Sequence, residues 1–210
     1  MRPAVDVWWS PSGAAPSWAM EWLSDEERER HARFVFQQDR ESYLAAHAML
    51  RLALGGYRGP FSVGVHGKPF LAEGPEVSLS HTRGAVAVAI STSMPVGVDV
   101  ENVERSNDWR KLLGRVLSPA EIAALRALPE IDQQPRFYEF WTLKEAWSKA
   151  LALGLHADFP SLNSLQPNLT LQLCPIDPPY RLALAAFGEE VEVRVGRFGW
   201  KGIVGSPPSA

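Results

Sequence analysis

Two acids stand two positions apart in the stretch Val96-Gly97-Val98-Asp99-Val100-Glu101. On a strand, side chains alternate between faces, so Val98 and Val100 share one face while Asp99 and Glu101 share the other. Carboxylates on one face repel unless a cation or a basic group sits between them. The pair is therefore either a solvated face or a site for a hard cation such as Mg²⁺. That ion takes one or two carboxylates and completes its shell with water and phosphate oxygens.

A second group lies in the segment 137–154. At roughly 100° per residue, Phe137, Phe140, Trp141, Leu143, Trp147 and Leu151 make a broad apolar helix face. Lys144 projects from near its centre, where an unpaired ammonium is costly; it either snorkels outward or meets an anion. Glu145 and Lys149 stand four apart on a neighbouring face. They read as an exposed pair worth about 0.3–0.5 kcal/mol, or as a further metal carboxylate beside a lysine that reaches a phosphate.

Three smaller features bear on an anionic ligand. Arg40, His47 and Arg51 fall within about 40° of one another on a helix, either an ordinary helix margin or a phosphate-binding edge. Ser80-His81 sits where a strand gives way to a loop, a common address for ligand contacts. Adjacent residues on an extended chain point apart, so these two do not form a nucleophile and its base. Gly67-Lys68-Pro69 is a turn whose backbone can approach a ligand closely.

The elements that must position these residues follow from local pattern. Strands are expected at Val5–Trp9, Ser62–His66, Glu76–Ser80, Ala85–Ser91 and 96–101, and again at Leu169–Leu173, Tyr180–Phe187 and Val191–Trp200. Ser24 with Glu27 three residues on is a capping box for a helix through Phe36. A second helix runs from Asp39 to Leu54 and stops at Gly55-Gly56. Ser118-Pro119-Ala120-Glu121 starts another, and a long helix spans Pro135–Leu153. Strands and helices thus occur twice. The expectation is an α+β fold of an N-terminal half over 1–96 and a C-terminal half over 97–200 that carries the acidic strand, followed by a disordered tail over 201–210.

Composition bounds the rest. The chain has 210 residues, 46% hydrophobic, 21% charged and 10% aromatic, with eight Trp and a net charge of −3. That composition excludes collagen-like, disordered and coiled-coil classes and gives no general footprint for nucleic acid or anionic membrane. The single cysteine, Cys174, forms neither an internal disulfide nor a Cys-rich zinc site. Among the 21 basic residues only five are Lys (68, 111, 144, 149 and 201). There is no signal-peptide layout at the N-terminus and no apolar run of roughly eighteen residues, so a soluble cytoplasmic protein is expected. P-loop, dinucleotide-binding, zincin and serine-hydrolase signatures are absent.

Taken in order, GKP at 67–69, SLSH at 78–81, VGVDVE at 96–101 and FWTLKEAWSKALALGL at 140–155 resemble the 4′-phosphopantetheinyl transferases. The likeness is to the pseudo-dimeric type that modifies carrier proteins of polyketide and nonribosomal peptide synthesis. It extends from about Val5 to Phe198, and the helix has the W…KEA form of one branch. The resemblance implies two similar α+β halves related by a pseudo-twofold axis, each with a small, mainly antiparallel sheet and packed helices, with coenzyme A between them.

It also implies roles. Asp99, Glu101 and Glu145 bind Mg²⁺, with Mn²⁺ a possible substitute, while Lys144 and Lys149 contact the coenzyme A phosphates. Ser80 and His81 contact coenzyme A, His81 near the 3′-phosphate, and the backbone of Gly67, Lys68 and Pro69 lies near the adenine. Arg40, His47 and Arg51 join the coenzyme-binding set; relatives often carry Arg where this chain has His47, so charge at that contact depends on pH. The basic residues of the first helix have no unambiguous match among Arg28, Arg30 and Arg33. The implied reaction is attack of a carrier-protein serine on the β-phosphate of coenzyme A with release of 3′,5′-ADP, Glu145, Lys149 and Lys144 being the catalytic set. Partners are acyl or peptidyl carrier domains and coenzyme A or acyl-coenzyme A, without nucleic acid or membrane, and a monomer is expected. The alternative is a non-catalytic coenzyme A- or nucleotide-binding module that regulates a synthase, which needs the basic cleft but no three-carboxylate site.

Overall fold

The β-branched and aromatic run Ala4–Ser10 forms strand β1 and turns Val5, Val7 and Trp9 into the core. The structure is a computed structural model that describes residues 2–11, 14–104, 108–154, 157–188 and 190–200. After a short 3₁₀ turn at Ser17–Trp22 come helices α1 (Asp25–Ala32) and α2 (Gln37–Ala53), then strands β2 (Ser62–Val63), β3 (Pro69–Phe70), β4 (Glu76–Thr82), β5 (Ala85–Ser91) and β6 (Val96–Asn102). Helices α3 (Leu113–Val116), α4 (Pro119–Arg126) and α5 (Glu130–Ala150) follow, and the chain returns to strands β7 (Thr170–Cys174), β8 (Tyr180–Ala186) and β9 (Glu192–Arg197).

Two sheets result. The first has the order β4-β5-β1-β9, antiparallel except for the parallel pair β1/β9. The second is antiparallel in the order β6-β8-β7. Val5, Val7, Ala87 and Ala89 of the first sheet share one apolar cluster with Val98, Val100, Leu182 and Leu184 of the second. On the outer face of the first sheet, Val77, Val86 and Val88 meet Ala45, Met49 and Leu50 of α2. Across the second sheet, Ala183 and Ala185 meet Leu143, Ala146 and Trp147 of α5. Helix, sheet, sheet and helix therefore stack in that order, an α+β architecture. A further cluster packs Trp109, Leu117 and Leu125 on Phe137 and Phe140 of α5.

One glycine decides how closely α5 sits on the second sheet. A Cβ at Gly97 would fall 2.0 Å from the Ala146 carbonyl oxygen and 2.4 Å from the Ala150 nitrogen. Only hydrogen at this position lets the helix backbone lie against β6, which brings residues 145 and 149 over Asp99.

Several boundaries differ from expectation. Helix α1 ends at Ala32, not Phe36, and Val35 and Phe36 form an exposed link to α2. The expected strand 62–66 is two residues long, because Gly67 (φ 86°) turns the chain back to pair β2 with β3. Helix α5 begins at Glu130 and carries Pro135 inside it; a proline near the N-terminal end forfeits few helical hydrogen bonds. It stops at Ala150, so Leu151, expected on the apolar face, is 38% exposed. The expected boundary at 96/97 cuts β6 after its first residue, and β9 from the second stretch joins the first sheet beside β1. The expected tail at 201–210, Arg105–Asn107 and Leu155 lie outside the described residues. Among the described residues no helix is long and apolar enough to cross a membrane.

Candidate active site

Strands β4 and β6 are edge strands of different sheets, and no backbone ladder joins them. Hydroxyls do so instead. Ser78, Ser80 and Thr82 share one face of β4 by the two-residue repeat. Val98 N–H donates to Ser78 Oγ (3.0 Å) and Val100 N–H to Ser80 Oγ (3.3 Å). Ser80 Oγ donates to Asp99 Oδ1 (2.7 Å), and Thr82 Oγ1 to Glu101 Oε2 (3.2 Å). Asp99 and Glu101 are thus buried, at 4% and 8% exposure, which removes the solvated-face reading.

Helix α5 supplies the remaining charges. Lys149 Nζ donates to Asp99 Oδ1 (2.7 Å) and to Ser80 Oγ (2.8 Å). Glu145, one turn earlier and half-buried, has its pKa pushed up to about 7. Burial is the main cause and the Asp99 charge the next; Lys149 opposes the rise and Glu101 adds to it. Three carboxyls from two elements therefore face one region. Among the described residues no three His, Cys, Asp or Glu side chains stand close enough together to hold a metal ion as they are placed. Two observations nonetheless fit a divalent cation here. Asp99 Oδ2 is buried and makes no hydrogen bond, and burial, helped by the neighbouring acids, holds Glu145 partly protonated at neutral pH. All-oxygen donors suit Mg²⁺, which needs few protein ligands.

A cleft of about 580 Å³ adjoins this region. His81, His47, Gly67, Pro69, Arg30 and Tyr43 are among the residues that line it. His81 has an exposed edge, yet protein crowds the ring. That crowding, together with the charges of Lys149 and His47, pushes its pKa down to about 4. It is neutral at pH 7 without a ligand and can gain a proton when an anion arrives. Tyr43 stacks on His47 with ring centroids 4.0 Å apart.

Several expected site residues point elsewhere. Lys144 is fully buried; its ammonium meets Glu121 Oε2 at 2.5 Å and donates to the carbonyls of Val116 (2.7 Å) and Phe159 (2.8 Å). All three donors have protein acceptors, so the expectation that Lys144 touches a phosphate is corrected: it ties α5 to α4 and to the 159–161 turn. Arg51, 1% exposed, donates from Nε to Glu27 Oε2 (2.9 Å) and from Nη1 to the Gly59 carbonyl (2.8 Å). It too is internal and offers no phosphate edge. Arg40 is half-buried and donates to the Phe34 carbonyl (3.1 Å). Lys68 turns its ammonium to the Val96 carbonyl (3.0 Å) and Glu76 (3.6 Å), while its neighbours Gly67 and Pro69 line the cleft. The Ser80 hydroxyl faces the seam between strands.

Residues that sequence reasoning did not assign include Glu27, Arg30, Glu121 and Thr82. Glu27 closes the capping box with Ser24 and also bonds His47 Nδ1 (2.9 Å). Burial pushes its carboxyl up, but His47, the Ser24 N–H and Arg51 outweigh that and leave it below the ordinary range. The capping box fixes α1, and one turn on from Glu27 stands Arg30 on the cleft wall; that spacing was a usable signal. Glu121 likewise combines a capping box with Ser118 and hydrogen bonds from Ser164.

Residues 95–187, which span the acidic strand, α5 and the whole second sheet, match the model of the 4′-phosphopantetheinyl transferase superfamily. The chain is 33% identical over 144 residues to the 4′-phosphopantetheinyl transferase HetI of Nostoc sp., covering 63% of this chain and 61% of that protein. The match thus spans about three-fifths of the Nostoc relative's length. To the 4′-phosphopantetheinyl transferase AcpT of Salmonella typhimurium it is 32% identical over 142 residues, 66% of this chain and 72% of the relative. To the 4′-phosphopantetheinyl transferase Sfp of Bacillus subtilis it is 24% identical across 80% of this chain and 83% of the relative. With the motif order and the matched acidic strand and helix, these likenesses establish that the chain belongs to the 4′-phosphopantetheinyl transferase superfamily.

Proposed function

We propose that this protein transfers the 4′-phosphopantetheine arm of coenzyme A to a serine of an apo carrier protein. The serine oxygen forms a bond to the β-phosphorus, the bond from that phosphorus to the ADP oxygen breaks, and 3′,5′-ADP leaves. The observation that carries the reading is the convergence of Asp99 and Glu101 from β6 with Glu145 and Lys149 from α5, beside a cleft that holds His81. A passive coenzyme-binding module has no need to gather two buried acids and a half-buried third at such electrostatic cost.

Asp99, Glu101 and Glu145 would hold Mg²⁺, or Mn²⁺ in its place. When bound, the ion neutralises charge on the pyrophosphate. The chain's own groups do the rest, and phosphoryl transfer asks them mainly for positioning and charge. Lys149, already aimed at this region, offers its ammonium to the pyrophosphate and to the departing 5′-phosphate of 3′,5′-ADP. His81 takes the 3′-phosphate and becomes protonated against it. Glu145 is the carboxyl we assign to accept the serine proton. Gly67 and Pro69 present backbone to the adenine, and His47 and Tyr43 line the same cleft.

We further propose a cytoplasmic monomer built from N- and C-terminal halves, the second of which lends β9 to the first sheet. It would act on acyl or peptidyl carrier domains of polyketide or peptide synthesis, with coenzyme A or acyl-coenzyme A as donor. The test is intact-mass measurement of a panel of apo carrier proteins with coenzyme A and Mg²⁺. A mass gain of one phosphopantetheine group supports the reading, and no gain with any carrier, while coenzyme A binds, would mark a non-catalytic module.

A further inference from the structure

We infer that the hydroxyls of Ser80 and Thr82 act as positioning residues that aim the Asp99 and Glu101 carboxylates at the divalent cation. The inference rests on the metal reading given above. Each hydroxyl donates to one carboxylate, Ser80 at 2.7 Å and Thr82 at 3.2 Å. Both residues are buried, at 4% and 8% exposure. The spacing is matched: residues 80 and 82 on β4 face residues 99 and 101 on β6, so one two-residue repeat reads another.

The arrangement on Asp99 is directional. Ser80 Oγ accepts from Val100 N–H (3.3 Å) and from Lys149 Nζ (2.8 Å), which commits its proton to Asp99 Oδ1. With Oδ1 held by Ser80 and Lys149, Oδ2 remains buried without a hydrogen bond, and it is the oxygen left to ligate. Thr82 fixes Glu101 through Oε2 in the same manner. Outer hydroxyls of this kind orient ligating carboxylates, and their loss typically weakens metal affinity about 10–100-fold. Ser78 supplies an internal control. It lies on the same strand face but, among the described residues, accepts the Val98 backbone N–H (3.0 Å) and has no carboxylate partner.

The experiment is calorimetric titration of the full chain with Mn²⁺ and Mg²⁺, without coenzyme A, alongside thermal unfolding. Ser80→Ala and Thr82→Val are each expected to lose about 10-fold or more in metal affinity. Ser78→Ala is expected to lower the melting temperature yet bind metal like the wild type, and Thr82→Ser, which keeps the hydroxyl, to retain affinity. Wild-type affinity in both Ser80→Ala and Thr82→Val overturns the inference. So does an equal loss in Ser78→Ala, since seam integrity alone would then explain the effect. Failure of the wild type itself to bind either ion would sink the metal reading and this inference with it, a result distinct from the other two. Should Ser80→Ala fail to fold, the Thr82→Val and Thr82→Ser pair decides the matter alone.

Discussion

Lys144 and Lys149 stand five residues apart on one helix, and each pairs with an acid. Around Lys144 every polar group has a partner. Its three donors meet Glu121 and two carbonyls, and the Glu121 oxygens are taken up by Ser118, Ser164 and Lys144. Burial raises the Glu121 carboxyl, but these bonds bring it below its ordinary value. Around Lys149 the account does not close: Asp99 Oδ2 lacks a partner, and Glu145 is raised to about 7 by burial and neighbouring acids. The same residue types thus make a closed joint in one place and an unsatisfied site in the other. A buried network that satisfies itself holds structure, whereas one left short of positive charge is prepared for a ligand.

The sharpest way to break this comparison is Lys144→Met. It strands a buried Glu121 carboxylate and should cost about 3–5 kcal/mol in denaturant unfolding, with Lys144→Met/Glu121→Gln recovering a large part. Lys149→Met should cost no more than about 2 kcal/mol, since that side chain keeps 27% exposure, yet it should abolish transfer. Equal losses of stability would erase the distinction.

Gly97→Ala should come next. Its Cβ has no room beside the Ala146 carbonyl, so a destabilisation of about 3 kcal/mol and loss of activity together are expected. A folded, fully active variant would show that the close contact between α5 and β6 is dispensable.

Glu145→Gln probes the open site by its pH dependence. The folded pKa, about 7, lies above the ordinary 4.5, so ionised Glu145 weakens the fold. That penalty is absent below pH 4.5, grows as pH rises through the interval, and is complete above about 7. The apo variant should therefore melt higher than wild type at pH 8 by several degrees, with the gap closing near pH 4.5. Mg²⁺ should raise the wild-type melting temperature and leave this variant's nearly unchanged. A wild-type melting profile across pH would remove the electrostatic argument, and wild-type-like transfer would remove Glu145 from the mechanism.

The smallest effect concerns His81. Its pKa near 4 must rise when an anion binds, so coenzyme A affinity should strengthen as pH falls through the bound-state value. His81→Ala should bind coenzyme A more weakly and lose that slope in calorimetry, without a change in unfolding.

Much of the site is written in local pattern. Alternation alone places Asp99 and Glu101 on one face, and helical spacing sets Lys149 one turn beyond Glu145. The capping box at Ser24 and the helix start at Ser118 are both legible there, and most elements lie within a few residues of expectation. What local pattern lacks is the partner. A lysine central to an apolar helix face is visibly anomalous, but Glu121 lies 23 positions away and already serves as a capping residue, so nothing marks it as the counter-ion. The partner of Arg51 is hidden for the same reason, because Glu27 joins it only when α1 packs on α2. The need for glycine at 97 and the pairing of hydroxyls with carboxylates across β4 and β6 arise between sheets, where no periodicity of one segment can reveal them.

The parallel pair β1/β9 also governs how the protein comes into being. Ala4 lies opposite Glu192, so the first sheet cannot be completed until almost the entire described chain has been synthesised. Contacts of such long range are slow to form. Meanwhile β1, with its adjacent tryptophans Trp8 and Trp9, presents an open edge ready to pair with other chains. A fragment that ends before β9 would carry that open edge permanently, so truncation should surface first as aggregation and only second as lost chemistry.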